Sequence, residues 1–167
     1  MLPITLAPHL LKAALIGQGD ALARRQALLA EAGVEARLLA EDAPDEALRG
    51  LHLLFVAGLP EGESRALSAR ARALGILVNV EDVLPLCDFH VPAIVRRGDL
   101  LLSVSTGGQA PGLSRRLREA LALQFGPEWT GRLRELSLAR ARWRAQGLTQ
   151  SEVSQMVRAH VEKEGWL

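Results

Sequence analysis

The sequence predicts an α/β protein: a Rossmann-like domain built on a parallel sheet, followed by a strand–turn–helix unit and a C-terminal helical tail. Three observations lead to this fold class. Short apolar runs alternate with helical patterns as far as residue 80, a glycine turn joins the first run to the first helix, and only helical patterns follow Pro127. The chain is 49% hydrophobic and 23% charged, a composition that can bury a core.

The first strand is expected over residues 11–16, before the turn Gly17-Gln18-Gly19-Asp20 and a helix that Gly33 ends. A second strand is expected over residues 34–39. This order of elements, strand, glycine turn, helix and strand, is typical of the beginning of a dinucleotide-binding fold. In that fold, backbone N–H groups at the N-terminus of the helix bind a pyrophosphate. The alternative is a tight turn in which Asp20 caps the helix.

Two carboxylates, Glu41 and Asp42, follow the second strand. At this point of a dinucleotide-binding fold an acidic residue hydrogen-bonds the ribose hydroxyls, and it repels the 2′-phosphate of NADP. The competing interpretation is the start of a solvated loop that runs through Pro44.

Residues 51–57 and 76–80 predict the third and fourth strands, with a helix over residues 66–74 between them. Ligands of parallel sheets bind at the carboxyl ends of the strands. Because the fourth strand ends at Asn79-Val80-Glu81-Asp82, we expect the acidic pair to face the ligand cleft. The alternative for Asp82 is a helix cap before Leu84.

Residues 92–95 lead to the turn Arg97-Gly98-Asp99, and a fifth strand over residues 100–104 ends at Ser105-Thr106-Gly107-Gly108. A helix over residues 111–122 follows, with Arg115, Arg116 and Arg118 near its start. The helix dipole favours negative charge there, so these cations indicate an anionic ligand or, alternatively, a solvated basic face.

From Pro127 onward we expect a helix that ends at Gly147, then a last helix whose capping box joins Thr149 to Glu152. The chain is therefore divided into a nucleotide-type domain over residues 1–91, a strand–turn–helix unit over residues 92–125 and a helical domain over residues 126–167.

Composition excludes several classes of function. A net charge of +1 and 4% aromatic residues offer no basis for nucleic-acid binding. No apolar run reaches the ~18 residues of a membrane span, and the N-terminus lacks a signal-peptide pattern, so we expect a cytoplasmic protein without membrane contact. The single cysteine, Cys87, excludes an internal disulfide and a cysteine-cluster metal site, and its expected role is packing.

The block VNVED…LCDFHVPAIVRRGDLLLSVSTGGQAPGLSRRLREAL, with the GQGDALARRQALLAEAG turn and helix, resembles the N-terminal module of the siroheme synthase family. That family comprises precorrin-2 dehydrogenases and sirohydrochlorin ferrochelatases. The resemblance covers roughly residues 2–123 and rests on NVxD, F-x-x-P-A-I-V-x-R-G-D-L and S-T-G-G-x-(S/A)-P in that order. It implies a homodimer in which residues 92–125 are the dimerisation unit.

The resemblance further implies oxidation of precorrin-2 to sirohydrochlorin with NAD as cofactor, and in some members insertion of Fe²⁺ to give siroheme. The acidic residue needed for both steps falls on Asp82, which is thus the expected catalytic residue and a transient metal contact. The expected cofactor-binding residues are Gly17, Gln18, Gly19, Asp20, Ala21, Glu41 and Asp42.

The tetrapyrrole substrate is an octacarboxylate, for which backbone N–H groups and guanidinium groups are complementary partners. The family's serine in the S-(S/T)-G-G turn falls on Thr106. The expected substrate-binding residues are Asn79, Arg97, Thr106, Gly107, Gly108, Arg115 and Arg116.

The chain departs from the family pattern at two places on the nucleotide side. Leu22 stands where a small residue is usual, and Gly58-Leu59-Pro60 follows Ala57 where the family has A-T-D-D. Three functions therefore stay open: an NAD-dependent dehydrogenase, a chelatase or tetrapyrrole-binding protein that does not use NAD, and a non-catalytic dimeric module.

Overall fold

A computed structural model describes residues 2–167 and shows two compact units, one ending at Val91 and one beginning at Pro92. The first unit contains β1 (Ala13–Gly17), α1 (Gly19–Glu31), β2 (Ala36–Leu38), α2 (Asp45–Leu48), β3 (Leu53–Ala57), α3 (Glu61–Ala73) and β4 (Leu77–Val80). The second contains β5 (Ala93–Arg97), β6 (Leu100–Val104), α4 (Pro111–Gln124), α5 (Trp129–Ala145) and α6 (Gln150–Lys163).

The first unit is built on a four-stranded parallel sheet in the order β2-β1-β3-β4. This arrangement confirms the predicted Rossmann-like α/β fold. The chain leaves β1 toward β2 on one side and returns to β3 on the other, so the topological switch point lies between β1 and β3. Gly17 and Ala57 are paired at the carboxyl end of these two strands.

Both faces of this sheet are covered, which explains why its strands read as continuous apolar runs. One face buries a cluster that includes Ile16, Leu54 and Val78, and the other buries Leu15 and Phe55. Burial of a side chain of this size contributes roughly 1.5–3 kcal/mol, so the sheet is the rigid platform of the first unit.

Helix α2 was not predicted from the sequence. It begins after Pro44, whose fixed φ suits a helix start, and it carries Asp45 and Glu46 in its first turn, where the dipole favours acidic residues. Leu48 is fully buried and anchors the single turn to the core. The tertiary contact of Leu48 is what makes so short a helix stable.

The second unit begins with a β-hairpin. Residues expected only to lead into a turn form β5, which pairs antiparallel with β6 from Ala93 opposite Val104 to Arg97 opposite Leu100. Gly98 has a φ of 58° at the turn, a conformation that glycine adopts without strain.

The tail is helical, as predicted, and the capping box at the start of α6 is confirmed. The Thr149 Oγ1 accepts a hydrogen bond from the Glu152 backbone N–H, and the Glu152 carboxylate accepts one from the Thr149 N–H at 2.8 Å. Hydrogen bonds from Thr149 lower the pKa of Glu152. Across residues 2–167, no helix has both the length and the apolar character that crossing a membrane requires.

Candidate functional site

The glycine turn after β1 packs directly on the loop after β3. A Cβ atom on Gly17 would lie 1.8 Å from the Ala57 carbonyl oxygen, and one on Gly58 would lie 2.3 Å from the Gln18 carbonyl oxygen. The Gln18 N–H also donates to the Ala57 oxygen at 3.1 Å. The two loops therefore meet backbone to backbone, and side chains are excluded at both glycines.

The outer side of the same turn is open. A Cβ atom on Gly19 would meet no other atom within 4 Å, and α1 begins there without a side-chain cap. The first N–H groups of a helix have no partner within it, and here these belong to Gly19, Asp20 and Ala21. Free N–H groups and the positive end of the helix dipole suit an anion, so a dinucleotide pyrophosphate fits this turn.

The departure at Leu22 leaves this turn unobstructed. The Leu22 side chain is partly buried and packs on the core cluster that contains Phe55. It lies on the sheet side of α1, so its size does not narrow the open side of the turn. The second departure, Gly58, is the residue that permits the close contact with Gln18.

Glu41 and Asp42 lie beyond the end of β2, which stops at Leu38. Both side chains are exposed, and within residues 2–167 neither carboxylate has a hydrogen-bond or ion-pair partner. Because β2 is the neighbour of β1 in a parallel sheet, the two carboxylates follow the same edge as the glycine turn. They are available as acceptors for hydroxyl groups.

Asp82 follows β4 at this edge, on the other side of the switch point. Its φ of 60° is unique among the non-glycine residues that the structure describes, and aspartate adopts this left-handed conformation more readily than most side chains do. Left-handed non-glycine residues are found at turns and at functional sites. The Asp82 side chain is exposed and unpaired in residues 2–167, whereas Glu81 lies 3.8 Å from Arg24.

Cys87 and Asn79 hold the loop that carries Asp82. The Cys87 sulfur accepts from the Val80 N–H at 3.3 Å and donates to the Val80 oxygen at 3.1 Å. The Asn79 Nδ2 donates to the Phe89 oxygen at 2.9 Å, and Asn79 is 6% exposed. The Asn79 Nδ2 thus joins β4 to the following loop, while its buried Oδ1 has no hydrogen-bond partner within residues 2–167. Its expected contact with substrate stays a prediction.

Arg25 is a residue of this region that sequence reasoning missed. Its guanidinium carbon lies 5.7 Å from the centroid of the Phe55 ring, and that ring meets Phe89 edge-on. Burial lowers the pKa of Arg25, while the nearby charges, Glu81 first, act to raise it. A signal was present in the sequence, because helical spacing places Arg25 on the same face as Leu22 and Leu29.

In the second unit, hydrogen bonds of serine and threonine hydroxyl groups stabilise the turn after β6. The Thr106 Oγ1 lies 2.9 Å from the Ser114 Oγ and accepts from the Ala110 N–H at 3.3 Å. The Gly107 N–H donates to the Ser105 Oγ at 3.2 Å. Gly107 and Gly108 both have positive φ, and the turn runs directly into the start of α4.

The four predicted arginines of this unit lie at opposite ends of α4. Three of them are near its start: Arg116 and Arg118 pair with Glu119, while Arg115 is exposed and without a partner in residues 2–167. Arg97 donates to the Phe125 oxygen at 2.8 Å and to the Ala122 oxygen at 3.2 Å, at the far end of α4.

Arg97 lies at the end of α4 opposite to the Thr106 turn, and its expected role in carboxylate binding stays a prediction. Helix α4 has 14 residues and is therefore about 20 Å long, which separates its two ends. Arg97 satisfies carbonyl groups at the helix C-terminus, where the dipole favours a cation.

A resident metal site is not formed by the residues described. Over residues 2–167 no three His, Cys, Asp or Glu side chains come together in a way that could hold a metal ion.

Residues 4–93 match the protein family described as "Putative NAD(P)-binding". The chain is 36% identical to the siroheme synthase of Ectopseudomonas mendocina (strain ymp) over 121 residues, 62% of this chain and 26% of that protein. It is 34% identical to the siroheme synthase of Methylococcus capsulatus (strain Bath) over 137 residues, 70% of this chain and 29% of that protein. The chain thus spans less than a third of the length of these relatives.

The fold is similar to the solved structure of "SirC, precorrin-2 dehydrogenase", with a TM-score of 0.71 over 95% of this chain and 88% of that one, at 19% sequence identity. Identity at this level speaks for the shared fold. The family match covers more than half of the chain, including the sheet and the glycine turn. The chain therefore belongs to this NAD(P)-binding family, and its similarity to siroheme synthases confirms the resemblance that the sequence motifs indicated.

Proposed function

We propose that the protein oxidises precorrin-2 to sirohydrochlorin with NAD⁺ as the hydride acceptor. One observation carries the proposal: the unpaired carboxylate of Asp82, in a left-handed backbone, shares a sheet edge with an open glycine turn at the start of α1. Similarity to siroheme synthases and the fold shared with a precorrin-2 dehydrogenase support the same substrate class.

The first unit would hold the cofactor at its β1–β2 side. The N–H groups of Gly19, Asp20 and Ala21 bind the pyrophosphate, and Glu41 and Asp42 accept hydrogen bonds from ribose hydroxyls. Two carboxylates at that position repel a 2′-phosphate, so NAD⁺ is preferred to NADP⁺. When bound, NAD⁺ supplies the hydride acceptor, and the protein's residues supply binding, orientation and proton transfer.

Asp82 is the residue we assign to proton transfer. Loss of hydride from precorrin-2 is accompanied by loss of a proton, and an unpaired carboxylate at the sheet edge can accept it. The same group can accept pyrrole protons and contact Fe²⁺ while the metal enters the macrocycle, so we include ferrochelation as a second step at this residue.

We further propose that substrate carboxylates bind in the second unit, at Thr106, Gly107, Gly108, Arg115 and Arg116. Arg115 has an unpaired guanidinium, and the first N–H groups of α4 follow the double-glycine turn. Backbone N–H groups and arginine side chains together form strong charge-assisted hydrogen bonds with carboxylates. Arg97 is left out of this set because its guanidinium donates to carbonyl groups within its own unit. Asn79 stays a candidate, since its Oδ1 has no hydrogen-bond partner within residues 2–167.

The experiment that tests the proposed function is an assay of the purified protein with precorrin-2, with and without NAD⁺ and Fe²⁺. We expect sirohydrochlorin and NADH to form together, and only in the presence of NAD⁺. Siroheme formed from added sirohydrochlorin and Fe²⁺ without NAD⁺ would instead support the chelatase that does not use NAD. Neither product from an intact protein would contradict the enzyme assignments.

We also propose a homodimer formed through residues 92–125, with the helical residues 126–167 as the remainder of the same compact unit. A two-stranded sheet such as β5–β6 is marginal by itself and has two open edges. Helix α4 carries Leu113 and Leu117, which are 53% and 44% exposed and one turn apart. An apolar helix face beside an open sheet edge is well suited to a second copy of the same surface.

Leu117→Glu is expected to convert the dimer to a monomer, because a charge would be placed in an apolar contact. Sedimentation velocity measures the change in mass. Leu138→Glu is a matched control, since Leu138 is also exposed but lies on α5. A wild-type protein that sediments as a monomer at all concentrations would contradict the dimer.

A further inference from the structure

The position of Arg25 is unusual for a charged residue. On α1 the residues that pack against the core cluster of Phe55 are Ala21, Leu22, Leu28 and Leu29. Arg25 lies one helical turn from Ala21 and from Leu29, so it occupies the same apolar face. A half-buried cation at such a position is unfavourable unless a partner compensates for the lost hydration.

Over residues 2–167 the Arg25 guanidinium forms no direct hydrogen bond or ion pair, although the charges of Glu81 and Asp82 act on it and Arg24 approaches Glu81 at 3.8 Å. Its guanidinium carbon lies over the Phe55 ring, 5.7 Å from the ring centroid. An aromatic ring contacts the face of a guanidinium group and leaves the N–H donors at its edge available. One anion can then accept hydrogen bonds from two of these donors.

The head group of Arg25 lies toward the functional edge of the sheet. Side chains in helices lean toward the helix N-terminus, which for α1 is the glycine turn. Glu81 and Asp82 are the carboxylates whose charges act on Arg25, and both follow the end of β4. The unpaired guanidinium and the unpaired Asp82 carboxylate therefore belong to one region of the first unit.

We propose that Arg25 is a substrate-binding residue whose guanidinium, positioned over the Phe55 ring, binds a carboxylate group of the tetrapyrrole beside Asp82. This inference rests on the proposed function for the identity of the substrate. It adds a carboxylate-binding residue to the first unit.

A carboxylate is favoured over the cofactor's pyrophosphate as the ligand of Arg25. The pyrophosphate has its own donors in the N–H groups of the first turn of α1. The carboxylates whose charges act on Arg25 are Glu81 and Asp82, which follow β4, and the carboxylates proposed for the cofactor's ribose, Glu41 and Asp42, are not among them. Its ligand therefore comes from the substrate side, where Asp82 lies.

Arg25→Met and Arg25→Lys test the proposal, with Arg65→Met as the matched control. Arg65 is exposed on α3 and pairs with Glu61. The probe is an octacarboxylate porphyrin titrated by absorbance, beside NAD⁺ titrated by calorimetry. We expect Arg25→Met to weaken porphyrin binding about tenfold or more, as loss of a charged hydrogen-bonding partner does, and Arg25→Lys to weaken it less. NAD⁺ affinity should stay within about twofold of wild type in both variants.

Thermal stability separates a binding role from a structural one. Methionine suits an apolar helix face, so Arg25→Met should unfold at the wild-type temperature or a few degrees above it. A lower melting temperature with unchanged porphyrin binding would overturn the proposal and make Arg25 a packing residue. Weaker NAD⁺ binding with unchanged porphyrin binding would overturn the carboxylate assignment in favour of phosphate.

The two hypotheses fail in different ways. If wild-type protein binds the porphyrin through Arg25 but does not oxidise precorrin-2, the proposed dehydrogenase is wrong and the Arg25 site stands. If wild-type protein oxidises precorrin-2 and Arg25→Met has full porphyrin affinity, only the Arg25 inference is wrong. A wild-type protein that does not bind the porphyrin also overturns it.

Discussion

Asp82→Asn is expected to lower the rate of precorrin-2 oxidation about 10²–10⁴-fold, the usual contribution of a positioned general base. Asparagine keeps the size of the side chain and tolerates the left-handed backbone, with φ near 60°, but it cannot accept a proton at neutral pH. Since the side chain has no hydrogen bond or ion pair within residues 2–167, the one interaction known to be lost is that of its charge with Arg25. Steady-state turnover, measured as NADH formation, is the readout.

Two further variants make the Asp82 experiment specific. Asp82→Gly should also lose turnover, yet it should raise the free energy of unfolding by roughly 1 kcal/mol, because glycine adopts positive φ without strain. Glu63→Gln removes a carboxylate in the exposed first turn of α3 and should leave turnover unchanged. Wild-type turnover in Asp82→Asn would remove Asp82 from the mechanism.

Gly58→Ala is expected to lower the free energy of unfolding by about 2–4 kcal/mol and to abolish measurable NAD⁺ binding. The added Cβ would lie 2.3 Å from the Gln18 carbonyl oxygen, and the φ of 74° at Gly58 is itself unfavourable for alanine. Relief of the clash requires the β1–α1 turn to move from the β3–α3 loop. That movement displaces the N–H groups of Gly19 and Asp20, on which pyrophosphate binding depends.

Gly62→Ala is the matched control for Gly58→Ala. Gly62 lies four residues further on, in α3, and a Cβ atom there would meet nothing within 4 Å. Alanine is the better helix former, so stability should be unchanged or slightly higher. Denaturant unfolding and NAD⁺ calorimetry would measure both variants. Equal stability of Gly58→Ala and wild type would contradict the close packing of the two loops.

The sequence was sufficient to predict the parallel sheet and the order of its elements. Continuous apolar runs of strand length, alternating with helical patterns, indicate strands that are buried on both faces of a sheet. This pattern can be recognised within each short segment of the sequence. The capping box of Thr149 and Glu152 was predicted for the same reason, because both partners lie within one turn. Helix α2 and strand β5 were missed, since each is stabilised by contacts distant in sequence, such as the burial of Leu48.

Some features of the candidate site were likewise expected from the sequence, and others were decided only by folding. Asp82, Glu41 and Asp42 were expected at the carboxyl edge because residues that follow parallel strands share that edge. Their chemical roles stay predictions that the experiments above test. The burial of Asn79 and the contact of Arg97 with the end of α4 could not be foreseen, because both depend on carbonyl groups brought near by folding.

The sequence by itself determined that this chain has a Rossmann-like first unit with a glycine turn and an acidic residue after the fourth strand, because periodicity and turn chemistry act between neighbours. Only the tertiary structure decided which polar groups are free. Within residues 2–167 it engaged the Arg97 guanidinium and the Asn79 Nδ2, left the Asn79 Oδ1 and the Asp82 carboxylate without partners, and placed the Arg25 guanidinium over Phe55. A polar group is free or satisfied according to what lies within about 3 Å of it, and that neighbourhood exists only after folding.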